Sequence, residues 1–146
     1  MAQSSSTGGL RCVVVTPEQT VIDTTASYVV TPLYDGEIGI AAGHSPMIGR
    51  LGFGELRITT AEGKVEPMYV DGGFVQVADD TISVMTGRAK KLEELDVAES
   101  EKRLEAALDA PAASGEGLVL RQRAIDQARG MLRVARRTKA GQNGKA

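Results

Sequence analysis

The spacing of apolar residues changes once along this chain of 146 residues, close to Leu95. Before that point, apolar and polar residues alternate in short runs, which place on one face the pairs Leu56 and Ile58, Val75 and Val77, and Ile82 and Val84. Such alternation is typical of β-strands with one buried face. After that point, apolar residues recur every three or four positions, which indicates amphipathic helices. The chain is therefore expected to form a β-rich part followed by a helical part.

Six runs in the first part are the clearest strand candidates: 10–16, 27–31, 55–60, 65–70, 74–78 and 81–86. Residues that tolerate positive φ or favour turns lie between many of these runs. They are Asp35-Gly36, Glu62-Gly63, Asp71-Gly72-Gly73 and Asp79-Asp80. Short strands with turn signals at this spacing predict an all-β sandwich or barrel. We place the β-sandwich domain at residues 10–91.

The second part predicts a helical hairpin over residues 92–137, with helices at about 97–109 and 118–137. Asp96 followed by Glu99 is a capping-box pattern at the start of the first helix. The second helix carries an apolar stripe, formed by Leu118, Ile125, Ala128, Leu132 and Ala135. Residues 110–117, which are rich in Ala, Ser and Gly, are expected to form the loop between the helices. Residues 1–9 and 138–146 are expected to be flexible tails.

Charge is distributed unevenly in a chain whose net charge is only −2. The first helix is acidic and the second is basic, with five arginines on the side away from its apolar stripe: Arg123, Arg129, Arg133, Arg136 and Arg137. A solvated surface is the simplest interpretation of such a run. The net charge and the five aromatic residues, with no tryptophan, argue against a nucleic-acid partner.

The residue types needed for catalysis are scarce. His44 is the only histidine and Cys12 the only cysteine, so a Ser-His-Asp or Cys-His enzyme would have to use His44. Cys12 lies in an apolar strand and is expected to be a small buried residue. Neither a metal-ligand spacing nor a phosphate-binding loop is present. The sequence predicts no catalytic, cofactor-binding or metal-binding residue, and it shows no signal peptide or membrane span.

Three segments, followed by the hairpin, carry a resemblance to a known family: VVTPEQTVID, GEIGIAAGHSPMIGRLGFGELRI and VDGGFVQVADDTISVMTGRA. In this order they resemble the epsilon subunit of bacterial-type F-type ATP synthases, which corresponds to the mitochondrial delta subunit. The match runs from about Val13 to Ala135. The family pattern in the middle segment is met by Gly36, Gly39, His44, Pro46, Met47, Gly54, Leu56, Arg57 and Ile58.

The resemblance implies a sandwich of about ten strands followed by the helical hairpin. It implies a non-catalytic rotor subunit of the central stalk, which couples gamma to the c-ring during proton-driven ATP synthesis. The residues expected at the gamma and c-ring interface are Glu37, Ile38, His44 and Met47. The protein would lie on the cytoplasmic side of the plasma membrane, attached only through the complex and without a cofactor of its own.

The resemblance also gives the hairpin a regulatory role. In this family the hairpin can lie folded, or extend along gamma into the alpha/beta catalytic head and hold back ATP hydrolysis. The five arginines would then meet acidic groups of the head. One departure concerns ATP binding, because Glu99-Ser100 stands where many members have Arg-Ala. A carboxylate there repels phosphate, so we do not expect ATP to bind.

Two other functions remain open from the residues themselves. The first is a free-standing ligand-binding β-sandwich whose helices only cap one sheet. The second is an enzyme that uses His44, which the missing partner residues disfavour.

Overall fold

The computed structural model describes residues 9–111 and 114–143. The chain divides into two compact units, one up to residue 89 and one from residue 90 onward. Residues 1–8 and 144–146 of the predicted tails, and positions 112–113 of the predicted loop, lie outside the described residues.

The first unit is built from six strands: β1 (Leu10–Val15), β2 (Thr20–Leu33), β3 (Gly36–Ala41), β4 (Met47–Thr60), β5 (Val65–Ala78) and β6 (Thr81–Met85). A short strand, β7 (Ala89–Lys91), follows at the junction with the second unit. The strand order is β1-β6-β5-β4-β2-β3, and β1 also pairs with β2. Because of that extra pairing, the sheet closes on itself, with β3 as an added edge strand.

The closed sheet encloses a core of aliphatic residues, Met68 and Cys12. Alternate residues of β1 and β6 point into it, such as Cys12, Val14, Ile82 and Val84. Cys12 is fully buried, as its apolar neighbours indicated. Burial raises the pKa of its thiol to about 12, with a smaller contribution from the charge of Asp23. The thiol is therefore protonated and unreactive at neutral pH.

The predicted fold class, a β-rich domain followed by a helical hairpin, is confirmed, but the strand count is different. The described residues form seven strands instead of about ten, because three of them are 14 residues long. The expected turn at Asp71-Gly72-Gly73 lies inside β5. Gly72 and Gly73 have φ values of +74° and +110°, and a Cβ on Gly73 would lie 2.0 Å from the backbone oxygen of Met85. These glycines let β5 bend and approach β6 closely.

The second unit contains a short 3-10 helix (Leu92–Glu94), α1 (Val97–Asp109) and α2 (Gly115–Asn143). Asp96 caps α1, because its Oδ1 accepts a hydrogen bond of 3.1 Å from the backbone N–H of Glu99. The Glu99 side chain bonds Arg103 instead of returning to the cap. Half of the predicted capping box therefore forms.

α2 is longer at both ends than the predicted helix of 118–137. It includes residues 138–143, which were expected to belong to a tail. Ile125, Ala128, Leu132 and Ala135 of the predicted stripe are buried, whereas Leu118 is exposed. Arg121 Nη2 donates a hydrogen bond to the backbone oxygen of Leu108, in the last turn of α1. A cation at this position also compensates the negative end of the α1 dipole.

Candidate interaction surfaces

The turn between β2 and β3 presents the first candidate site. Glu37 is the second residue of β3, directly after the turn at Tyr34 and Asp35, and it is exposed. The backbone N–H of Tyr34 bonds the oxygen of Arg50 at 2.9 Å, and the Arg50 guanidinium lies 4.4 Å from the centre of the Tyr34 ring. This cation–π contact fixes the turn against β4. The turn therefore holds Glu37 at a defined place on the surface.

Arg57 of β4 lies between two carboxylates. Its Nη1 is 3.2 Å from Oε1 of Glu55 and 3.6 Å from Oε2 of Glu37. Glu55 is the more buried of the two acids, with a side chain that is 11% exposed, against 52% for Glu37. Arg57 was noted in the sequence only as part of a family pattern. Its contact with Glu37 crosses β2 and becomes visible only once the strand order is known.

The side chains of the other three residues expected at this interface do not share the exposed surface of Glu37, although Ile38 is its neighbour in β3. Ile38 and Met47 are half-buried and pack against the core, Ile38 opposite Thr31 and Met47 opposite Val77. His44 is half-buried in the loop between β3 and β4. Its Nδ1 lies 2.7 Å from the backbone oxygen of Ser45, the next residue. This contact, made to its own loop, is typical of a structural residue.

An exposed apolar patch lies on the outer face of β4, β5 and β6. Ile48 is 75% exposed, Phe74 54% and Met85 44%. Phe74 lies opposite both Met85 and Arg50, and Ile48 lies opposite Gln76, two residues further along β5. Side chains at such cross-strand positions are neighbours on the same face. We call Ile48, Phe74 and Met85 the apolar patch.

The apolar patch was not predicted from the sequence, although the sequence contains a signal for it. Val75 and Val77 were assigned to the buried face of their strand, which puts Phe74 on the other face. In the same way, Met85 follows the buried Val84. Aromatic residues, Met and Arg are enriched at protein interfaces. An aromatic residue on the predicted outer face was therefore a docking signal.

The arginine face of α2 is the second candidate surface. Its members, Arg123, Arg129, Arg133, Arg136 and Arg137, are all exposed. Arg136 Nη2 lies 3.2 Å from Oε1 of Glu101 on α1, so the folded hairpin pairs this guanidinium group with an internal carboxylate.

An acidic cleft of about 690 Å³ lies within the second unit, between the start of α1 and the end of α2. Four carboxylates line it, from Glu93, Glu94, Asp96 and Glu101, together with the cation of Lys139. A ligand with several phosphates would meet net repulsion at these carboxylates. The cleft therefore suits the expectation that ATP does not bind here.

The described residues contain neither a metal-binding cluster nor a membrane-spanning helix. No group of three or more His, Cys, Asp or Glu side chains within 9–111 and 114–143 is placed to hold a metal ion. No helix in the part of the chain that the structure describes is long and apolar enough to cross a membrane.

Comparison with known proteins assigns the chain to a family. Residues 9–92 match the family model described as the ATP synthase, Delta/Epsilon chain, beta-sandwich domain. The ATP synthase epsilon chain of Rhodopirellula baltica is 49% identical over 127 residues, which are 87% of this chain and 98% of that protein. The chain belongs to the ATP synthase delta/epsilon family. The family predicted from the sequence is thus confirmed.

Further relatives agree with this assignment. The ATP synthase epsilon chain of Carboxydothermus hydrogenoformans is 42% identical over 94 residues, covering 64% of this chain and 69% of the relative. A chain of the Euglena gracilis mitochondrial ATP synthase, solved as OSCP/F1/c-ring, has a TM-score of 0.74 at 21% identity, covering 88% of this chain and 82% of that one. A chain of the Tetrahymena thermophila mitochondrial ATP synthase central stalk and c-ring has a TM-score of 0.69 at 14% identity, covering 86% of this chain and 96% of that one. At these identities the two structures show a shared fold.

Membership of the delta/epsilon family decides between the functions that the residues left open. The relatives are named as chains of the ATP synthase, so the prediction of a non-catalytic subunit is confirmed. The ligand-binding sandwich and the His44 enzyme are set aside.

Proposed function

We propose that this protein is a central-stalk subunit of an F-type ATP synthase, and that it couples gamma to the c-ring during proton-driven ATP synthesis. In this proposal the apolar patch packs against gamma, and the β2–β3 turn with Glu37 faces the polar loops of the c-ring. Ile38, Met47 and His44 support these surfaces from behind, since each is half-buried. The protein then lies at the cytoplasmic side of the plasma membrane, held there by its partners.

The apolar patch is the observation that carries the gamma contact. Three large apolar side chains on adjoining strands are exposed together, and water contact with them is unfavourable. Arg50, next to Phe74, adds a group that is common at the centre of protein interfaces. A rotor subunit must transmit torque without slipping, so a packed apolar contact suits this role better than scattered charges.

Retention of gamma tests this contact. Tagged protein with Ile48→Ser and Phe74→Ser is co-expressed with gamma, and the gamma that remains after capture is measured. Val65→Ser is the matched control, because Val65 is 52% exposed on β5 but lies at the opposite end of that strand. We expect the double variant to lose gamma and the control to keep it. Equal retention by both folded variants would refute docking through the patch.

We further propose that the hairpin restrains ATP hydrolysis when it extends into the alpha/beta head. The five exposed arginines support this proposal, because guanidinium groups pair with carboxylates in bidentate geometry. In the folded hairpin, Glu101 holds Arg136, so extension exchanges an internal partner for one on the head. Such an exchange needs two states that differ by only a few kcal/mol.

A further inference from the structure

We infer that Arg57 is a positioning residue, which sets the direction of the Glu37 carboxylate toward a cationic group on the c-ring. This inference rests on the proposed function, in which Glu37 faces the c-ring. It adds a role for two residues, Arg57 and Glu55, for which the sequence predicted none.

The Arg57 side chain reaches Glu37 across a whole strand. Glu37 lies opposite Pro32 on β2, and Arg57 lies opposite Val30 on the other side of β2. The guanidinium therefore extends across the outer face of β2 to come within 3.6 Å of the Glu37 oxygen. Both contacts are made by one nitrogen, Nη1, so the side chain has to be long enough to bring a single N–H group between Glu37 and Glu55.

Glu55 holds the Arg57 side chain in place. Glu55 is two residues earlier on β4, and residues two apart along a strand share a face. Its side chain is only 11% exposed, and its Oε1 accepts a hydrogen bond of 3.2 Å from Arg57 Nη1. A carboxylate that is mostly removed from water holds its counter-ion more firmly than an exposed one does. Glu55 is therefore the anchor, and the more exposed Glu37 is the group that is presented.

Contacts from β4 also hold the backbone of the turn next to Glu37. The cation–π contact of Arg50 with Tyr34 holds the turn from one side, and Arg57 holds the residue after the turn from the other. Gly36, which joins them, has a φ of +150°. Two arginines of one strand thus fix the turn and its carboxylate. A site placed on a rigid strand in this way is held more accurately than one on a free loop.

The charge of the site around Glu37 indicates the kind of partner it fits. The exposed carboxylates of Glu37 and Asp35 lie two residues apart in the chain, and the Arg57 guanidinium is shared between Glu37 and the more buried Glu55. The site is therefore acidic in spite of the internal pairs. It fits a partner that presents a guanidinium or ammonium group, and its contribution should fall as salt is raised.

A double-mutant cycle with the full-length protein and isolated c-rings in nanodiscs tests the inference. Binding is measured for the wild type, Glu37→Gln, Arg57→Gln and the double variant. We expect each single change to weaken binding by about two- to fivefold, as for surface ion pairs. We expect the double variant to bind no more weakly than Glu37→Gln, because Arg57 acts through Glu37. Arg57→Lys should restore part of the binding.

The matched control is Arg11→Gln. Arg11 also forms an exposed pair between neighbouring strands, at 2.8 Å from Asp23, and no partner contact is proposed for it. We expect it to leave c-ring binding unchanged. If Arg57→Gln lowers the melting temperature, Glu55→Gln serves as the second variant, since it loosens Arg57 without removing its charge.

The outcomes separate the two proposals. If Glu37→Gln binds the c-ring as tightly as the wild type, the contact of Glu37 with the c-ring is wrong, and the role of Arg57 falls with it. If Glu37→Gln weakens binding but the Arg57→Gln effect is equally large in the Glu37→Gln background, only the positioning role is overturned.

Discussion

Replacing Arg129, Arg133 and Arg136 by Ala gives opposite results for the two interpretations of the arginine face. If these residues only solvate α2, hydrolysis by the assembled ATP synthase should not change. If they pair with carboxylates of the alpha/beta head, hydrolysis should rise. Ala is the strongest helix former, so the change itself should leave α2 helical.

The magnitude follows from the two states of the hairpin. In the folded state, the Arg136 and Glu101 side chains are 61% and 52% exposed. Such an exposed pair contributes about 0–1 kcal/mol. In the extended state, each charge-assisted hydrogen bond contributes about 1.5–3 kcal/mol. Even if each of the three arginines also loses such an exposed pair in the folded state, losing three charge-assisted bonds in the extended state outweighs this by about 1.5 kcal/mol or more, which shifts the equilibrium toward the folded hairpin about tenfold or more.

The assay is steady-state ATP hydrolysis by the enzyme reassembled with each variant. Glu101→Gln is the informative control, because it removes only the internal partner of Arg136. It should lower hydrolysis by up to about fivefold, the opposite direction from the triple variant. Circular dichroism and subunit retention check that α2 is intact and bound. An unchanged hydrolysis rate in an intact, bound triple variant would reject inhibition through this face.

Three further predictions concern the two units separately. Gly73→Ala should cost about 3–5 kcal/mol in urea unfolding, because its Cβ would lie 2.0 Å from the Met85 oxygen at a φ of +110°. The control is Gly63→Ala, where φ is +87° but no atom lies within 4 Å, and it should lower the free energy of unfolding by only about 1–2 kcal/mol. Equal losses of stability in the two variants would contradict the close approach of β5 and β6. Because the pKa of Cys12 is raised from 9.0 to about 12, the folded protein binds the thiol proton more tightly than the unfolded chain does, so stability should fall as pH rises between these values. Cys12→Ala should show a smaller fall over that pH range, and an identical fall would refute the effect. Isothermal titration with millimolar ATP should give no saturable heat, and binding at micromolar ATP would show that the acidic cleft does not exclude phosphates.

Local rules in the sequence gave the elements that depend on neighbouring residues. The Asp96 cap indicated where α1 begins, and alternation marked Ile82 and Val84 as core residues. The beginning of α2 was placed too late, because Gly115 and Gly117 were interpreted as loop residues. Ser114 provides the cap there: its Oγ lies 3.5 Å from the backbone nitrogen of Gly117, and its backbone oxygen accepts the first helical bond, of 2.9 Å, from Leu118. A helix packed against another element overrides weak propensity in its first turn.

The contacts between distant strands were not accessible in this way. The Glu37–Arg57 pair depends on β2 lying between β3 and β4, which no local pattern specifies. Gly72 and Gly73 predict a turn in the sequence, because a glycine pair that ends a strand has the same sequence pattern as one that bends it. To predict the apolar patch, one would have to know both which face of each strand points outward and the order of the strands in the sheet.

Coupling is the central claim, and ATP synthesis measures it most directly. ATP synthase that lacks this subunit is reconstituted into vesicles, and a proton gradient is imposed with and without added protein. We expect ATP synthesis to require the protein, and the Ile48→Ser and Phe74→Ser double variant to fail to restore it while Val65→Ser restores it. Full synthesis in vesicles that lack the protein would contradict its role as the link between gamma and the c-ring.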